Sequence, residues 1–184
     1  MPVLLSVSWK SFLRHHRLFP KVFLSVLLAL AAYWYASITG NQFVYLNLTA
    51  SLPRGIYVSI PGTAYRHDDI VVYRPTPEVE AFSISHGYMK EETKMSFLKL
   101  VGALPGETWE VDDERGFFIE GRRIGTVLMK DTKGNEMPVP YGIHVVPDGE
   151  FLPYTKAPRS FDGRYEGTVP MNRIITRVIP LITE

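Results

Sequence analysis

Apolar residues along this chain follow two unlike patterns. One is a continuous run, Val22 to Ile38 (VFLSVLLALAAYWYASI), with 17 residues and no charge, and the uncharged stretch carries on to Pro53. Read as a helix, the run spans roughly 26 Å, and residues on the Leu18–Pro20 side bring it to the ~30 Å of a hydrocarbon core. Tyr33, Trp34 and Tyr35 suit an interfacial anchor at its far end. A cleaved signal peptide and a buried core helix are the competing readings. The long lead-in and the bulky Tyr-Trp-Tyr fit the first poorly, and the length without charge fits the second poorly.

The other pattern consists of short segments cut by glycine and proline. Residues 43–49 (FVYLNLT) read as a strand with Phe43, Tyr45 and Asn47 on one face. GIYVSI (55–60) and DIVVYR (69–74) read as strands ended by Pro61 and Pro75. Residues 77–87 (PEVEAFSISHG) open on proline, carry early glutamates and close on glycine, which predicts a short helix. SFLKLVGAL (96–104) is a buried-looking strand stopped by Pro105 and Gly106. TWEVDD, GFFIEGRRI, VLMKD, GIHVVP and the closing NRIITRVIPLI read as further short strands. Together they predict a mostly-β domain, a coiled sheet with one or two short helices, and no second domain boundary.

Charge orients this arrangement. Lys10, Arg14, Arg17 and Lys21 all precede the apolar run, and no acid appears before Asp68. By the positive-inside rule, residues 1–21 form a cytoplasmic basic tail, 22–40 a transmembrane anchor, and 41–184 a domain on the far side. That domain is mildly acidic, which argues against a nucleic-acid partner, since such a partner needs a basic face. The absence of cysteine excludes disulfides and thiolate chemistry. Five histidines, at 15, 16, 67, 86 and 144, show no metal-ligand spacing, so neither a metal nor another cofactor is expected. No serine sits in a G-x-S-x-G elbow, although spacing alone does not exclude a Ser-His-Asp triad.

A serine with a lysine remains. A lysine amine is ordinarily protonated (pKa ~10.4), and bringing it near 7 takes roughly 4 kcal/mol of desolvation or charge repulsion. The lysine to look for therefore lies inside an apolar strand. Lys99, in FLKLV, is that residue, while Lys90, Lys94, Lys130, Lys133 and Lys156 have polar or turn-like surroundings. The competing reading has Lys99 pointing out from an edge strand. Ser51, in TASLP, reads by itself as part of a turn.

The order of TASLP, DDIVVYR, FLKLVGALPGE and SFDGRYEGTVP behind one apolar segment resembles the type I signal peptidases, which use a Ser-Lys dyad. Within that family the likeness is nearer to the conjugative-transfer peptidases of the TraF type. NLTASLPRGIYV is similar to their N-x-T-x-S-x-P-x-G-[IL]-Y pattern, and HGYMKEETKMSFLKLVGALPGE to the stretch leading into their lysine box. The resemblance implies a signal-peptidase-like coiled β-sheet domain, a serine endopeptidase activity, and a bacterial inner-membrane location with the catalytic domain in the periplasm. It implies Ser51 as nucleophile and Lys99 as general base. Thr49, with the Ser51 backbone N–H, would form the oxyanion hole, and Ser160 would orient the lysine. Asp162 and Arg164 would be a structural ion pair near the site, with Pro53, Gly102, Pro105 and Gly106 in structural turns.

Departures from the family pattern are Glu107 for the usual aspartate, Gly163 where serine is common, and Glu166 for an aromatic residue before Gly167. KAPRS also stands in place of the G-D-N lead-in of housekeeping enzymes, which weakens a general secretory role. The implied partners are a membrane-borne pilin precursor or preprotein, the lipid bilayer, and conjugation or type IV secretion components. Some TraF-type enzymes also join the ends of the trimmed pilin into a circle. The alternatives are a general type I signal peptidase and a catalytically inactive anchored assembly subunit of a secretion channel. Phe43, Tyr57, Trp109 and Phe151 are candidates to dip into the bilayer surface, although Trp109 reads better as core.

Overall fold

The computed structural model describes residues 20–34, 42–90 and 95–184. Residues 20–34 form helix α1, whose apolar side chains, such as Leu24 and Leu28, are exposed. The expected basic tail up to residue 19 and the anchor's residues 35–40 lie outside the described residues. Among the described residues no helix is long and apolar enough to cross a membrane.

Residues Val44–Glu184 form a separate unit, whose two sheets are built of antiparallel strands. In chain order these are β1 (Val44–Asn47), β2 (Gly55–Ile60), β3 (Ile70–Tyr73), β4 (Phe97–Ala103), β5 (Thr108–Val111) and β6 (Gly116–Ile119). They continue with β7 (Arg122–Thr126), β8 (Gly142–Val145), β9 (Glu150–Tyr154), β10 (Val169–Pro170) and β11 (Ile174–Thr183). One sheet has seven strands in the order β1-β2-β11-β3-β4-β9-β10, and a second has four in the order β7-β6-β5-β8. Helix α2 (Pro77–Ser85) starts where Thr76 caps the Val79 N–H with Pro77 in its first turn. Helix α3 (Gly163–Glu166) is a single turn capped by Asp162. The expected mostly-β body with one or two short helices is what the unit contains.

Three apolar clusters fill it. The largest joins Trp109, Val111 and Phe117 of the small sheet to Ala103, Leu152 and Tyr154 of the large one. A second gathers Val71, Tyr73, Val101, Phe151 and Val169, and a third Tyr45, Tyr57, Val72 and Val178. Full burial of side chains such as Phe117, Phe151 and Leu152 contributes ~1.5–3 kcal/mol each. Lys99 is therefore not on an edge: β4 lies between β3 and β9, and Lys99 pairs with Val71.

Several expectations change. VLMKD is not a strand; its only ladder contact is an isolated bridge between Lys130 and Glu136. Of the residues proposed to dip into a bilayer, Tyr57, Trp109 and Phe151 are buried, and only Phe43 is exposed. Phe43 also sits just ahead of β1, so the inward face of that strand is Tyr45 and Asn47. Strand β9 (EFLPY) escapes a pattern reading because a proline argues against an interior strand. Pro153 is accommodated opposite Val101, where the β4–β9 register shifts between Val101 and Ala103.

Candidate active site

The loop between β1 and β2 presents Ser51, and Asn47 shapes that loop. Its Nδ2 donates to the carbonyls of Thr49 (3.2 Å), Leu52 (3.0 Å) and Pro53 (3.0 Å), while its Oδ1 accepts from the Thr49 N–H (3.1 Å) and hydroxyl (2.8 Å). The Tyr57 hydroxyl also donates to the Pro53 carbonyl at 2.7 Å. One half-strand side chain and one core tyrosine thus fix a turn that local propensity would leave loose. Gly55 closes the turn at φ 147°, and a Cβ there would lie 2.0 Å from the Ile182 carbonyl oxygen, so only glycine lets β2 meet β11.

Strand β4 supplies Lys99, which is 5% exposed. Its Nζ lies 3.1 Å from Ser51 Oγ and 2.7 Å from Ser160 Oγ, and the two serine oxygens are 3.4 Å apart. Phe97, two residues earlier on the same strand, places its ring centroid 5.6 Å from Nζ. Burial pushes the amine below the ordinary lysine range; Asp162 and Glu166 pull it back up, and Arg164 adds to the lowering. A neutral amine in this position donates to Ser160 and offers its lone pair to the Ser51 hydroxyl, the arrangement a serine nucleophile requires.

Ser160, 2% exposed, is held by a tight turn in which its N–H donates to the Ala157 carbonyl. Just beyond it, Asp162 and Arg164 form a fully buried ion pair at 2.8 Å. Asp162 Oδ2 also accepts from the Thr155 N–H (3.0 Å) and hydroxyl (3.3 Å), and Arg164 Nη2 donates to the Thr155 carbonyl (2.7 Å). The pair closes the loop between β9 and α3 on itself, which is how Ser160 comes to face Lys99. Gly163 is required here for space: a Cβ would lie 2.5 Å from the Pro153 carbonyl oxygen, so this chain has no room for a serine at that position.

The structure therefore brings Ser51, Lys99 and Ser160 together, with Asp162 and Arg164 behind them. Thr49 sits in the same loop, but its hydroxyl proton is engaged by Asn47; to serve a developing oxyanion it must rotate away. Pro53 supplies a carbonyl to the loop's hydrogen bonds, and Gly102 lies where β4 shifts register beside Leu152. Gly106, at φ 84°, lies with Pro105 in the turn after β4, where Glu107 accepts from the Leu104 N–H at 2.7 Å. Sequence reasoning assigned no role to Asn47, although the N-x-T-x-S spacing contains it. It also missed Thr155 and Tyr73. Glu166 had stood out only as a departure; in the fold its carboxyl is enclosed and receives the Tyr73 hydroxyl.

An open cleft of about 560 Å³ runs past Ser51, lined by the apolar Leu52, Pro53, Leu100 and Ala157 and the charged Arg54, Lys156 and Glu184. Apolar side chains thus lie beside Ser51 in a cleft that also carries two cations and one carboxylate.

Known proteins resemble this chain in sequence. The conjugal transfer protein TraF of Agrobacterium tumefaciens is 29% identical over 169 residues, covering 88% of this chain and 90% of that protein. A crystal structure of a signal peptidase I from Enterococcus faecalis is 20% identical and superposes with a TM-score of 0.37, covering 62% of this chain and 96% of that one. The model of the family described as signal peptidase, peptidase S26, matches residues 16–182, nearly the whole length. This chain belongs to the signal peptidase family, peptidase S26.

Proposed function

We propose that this protein is a membrane-anchored serine endopeptidase that trims a pilin precursor for conjugative transfer. The observation that carries the reading is the buried Lys99 amine 3.1 Å from Ser51 Oγ, with Ser160 fixing the amine's other side. Ser51 Oγ attacks the scissile carbonyl as Lys99 takes its proton, and the resulting ammonium protonates the departing amine. The Ser51 N–H and the rotated Thr49 hydroxyl receive the negative charge on the carbonyl oxygen; losing one such donor costs about 10²-fold or more in rate. Water resolves the acyl-enzyme to a linear product, whereas attack by the free amine at the other end of the same acyl chain releases Ser51 and gives a circular one.

The apolar run at 22–40 supports an anchor in the inner membrane, with its N-terminus in the cytoplasm and the peptidase in the periplasm. Ser51 is only 13 residues beyond Ile38, at most ~45 Å of extended chain, which supports a substrate cut shortly after its own apolar segment. The conjugal transfer relative, together with the missing G-D-N lead-in, favours a dedicated pilin substrate over a general set of preproteins.

Ser51→Ala and Lys99→Ala, each expressed with the precursor, are expected to abolish processing while leaving the protein folded. Processing that survives both substitutions would leave the inactive assembly-subunit reading in its place. The intact mass of the processed pilin separates linear from circular product, the circle being lighter by one water.

A further inference from the structure

We propose that Glu166, whose carboxyl is enclosed against Tyr73 on the Lys99 side of the large sheet, governs how alkaline the medium must be before Lys99 becomes a free base. The inference rests on the reading of Ser51 and Lys99 given above, and it assigns Glu166 as a positioning residue that acts through the lysine.

Tyr73 of β3 stands opposite Phe97 of β4, and Phe97 and Lys99, two residues apart on one strand, share a face. The Tyr73 ring meets the Phe97 ring edge-on at 5.7 Å, and the Lys99 amine lies 5.6 Å from that same ring. The Tyr73 ring and the Lys99 amine thus both lie against one phenylalanine. The Tyr73 hydroxyl donates to Glu166 Oε1, while Glu166 Oε2 has neither solvent contact nor a hydrogen-bond partner. A buried carboxylate with one bare oxygen is costly, so the enclosure favours the protonated acid.

Among the described residues, charged and polar groups face Lys99 and Glu166 from several elements. Lys99 faces Ser51 from the β1–β2 loop, Phe97 on its own strand, and Ser160, Asp162, Arg164 and Glu166 from the segment around α3. Glu166 faces Tyr73, Lys99 and Asp162. Asp162 is already matched by Arg164 and by the Thr155 donors. Among the described residues Glu166 has no salt bridge, and Lys99 is the cation whose charge favours its ionised form.

Burial holds the Glu166 carboxyl up at about 8, so in neutral solution it keeps its proton and presents no charge to Lys99. Under those conditions the desolvated amine is free to lose its own proton. When the carboxyl ionises, its charge favours the ammonium form. One proton shared between the two groups is then divided between a neutral pair and an ion pair, and only the neutral pair leaves a lone pair for the Ser51 hydroxyl. A residue without a carboxyl at position 166 would carry no such charge, so Glu166 acts as a brake in alkaline solution, where it is ionised.

The test is an NMR titration of the detergent-solubilised full chain labelled with carbon-13 at the lysine ε-carbons, with the Lys99 signal assigned through Lys99→Arg. In Glu166→Gln the Lys99 midpoint is expected to fall by roughly one pH unit, the low end for loss of a neighbouring opposite charge, giving about tenfold more free amine in alkaline solution, where the wild-type carboxyl is ionised, and no change where it is protonated. Tyr73→Phe removes the donor that stabilises the carboxylate and is expected to shift the midpoint the same way by less. Glu150→Gln, where the lost carboxylate only accepts from Thr168, should leave it in place. An unmoved or raised midpoint in folded Glu166→Gln overturns the proposal. If that variant does not fold, an unmoved midpoint in Tyr73→Phe does so. The two failures are separable: an unmoved midpoint with processing intact removes this inference, whereas processing that survives Lys99→Ala removes the peptidase reading.

Discussion

Replacing Arg164 by methionine isolates the contribution of the buried ion pair behind the site. Arg164 is 1% exposed, and its guanidinium bonds to Asp162 through Nε (2.8 Å) and Nη2 (3.2 Å) and to the Thr155 carbonyl (2.7 Å). It also lies 5.5 Å from the Phe117 ring centroid. Methionine fills much of the volume but leaves Asp162, 0% exposed, as a buried carboxylate held only by Thr155 and the Arg164 backbone N–H. Removing one partner of a buried pair typically costs ~3–5 kcal/mol because the other charge stays uncompensated. In a domain of this size, that lowers the melting temperature by roughly 6–20 °C. Urea unfolding of the detergent-solubilised chain, followed by tryptophan fluorescence, reads the loss as a shift of midpoint at constant slope. Asp162→Asn in the same chain should recover part of it, since the orphaned charge is then gone. A loss below about 1 kcal/mol in Arg164→Met, or no recovery in the double variant, would show that the pair is not what holds this loop.

Two further substitutions test the loop that carries Ser51 and the turn behind Ser160. Asn47→Ala deletes three donated and two accepted hydrogen bonds of the loop, so we expect a loss of ~2–4 kcal/mol in stability and a fall in kcat with KM little changed. Steady-state kinetics on the precursor checks this, and a pure KM effect would contradict it. Gly163→Ala pushes a Cβ to 2.5 Å from the Pro153 carbonyl, a backbone atom that cannot swing aside. It should destabilise the fold by ~1–3 kcal/mol in thermal unfolding, and a neutral result would show that β9 can shift.

How much of this was legible beforehand differs from residue to residue. Strands β2, β3 and β4 and helix α2 carry their own signals: β-branched runs, bounding prolines, and a threonine–proline start. The site's parts were legible as residue types in order, because a buried-looking lysine and a serine in a proline turn stand out from their neighbours. The meaning of Glu166 was not legible, since it depends on Tyr73, brought from a distant strand, and the α3 turn is too short for an apolar period to show. VLMKD misled because an apolar, β-prone run forms a strand only if a neighbouring strand offers its edge, and here none does beyond one bridge.

The sequence alone determined the apolar run near the start, the mostly-β character of the rest, and the residue types from which a site could be built. These follow from local propensity and from the periodicity of apolar side chains, which the chain carries wherever it folds. Only the tertiary structure decided that Lys99 lies in an interior strand, because strand order is a property of long-range pairing. It also decided that Ser51, Lys99 and Ser160 converge, although they are 48 and 61 residues apart along the chain. Convergence of that kind sets how an amine is desolvated and which charges it meets, and no local pattern contains it.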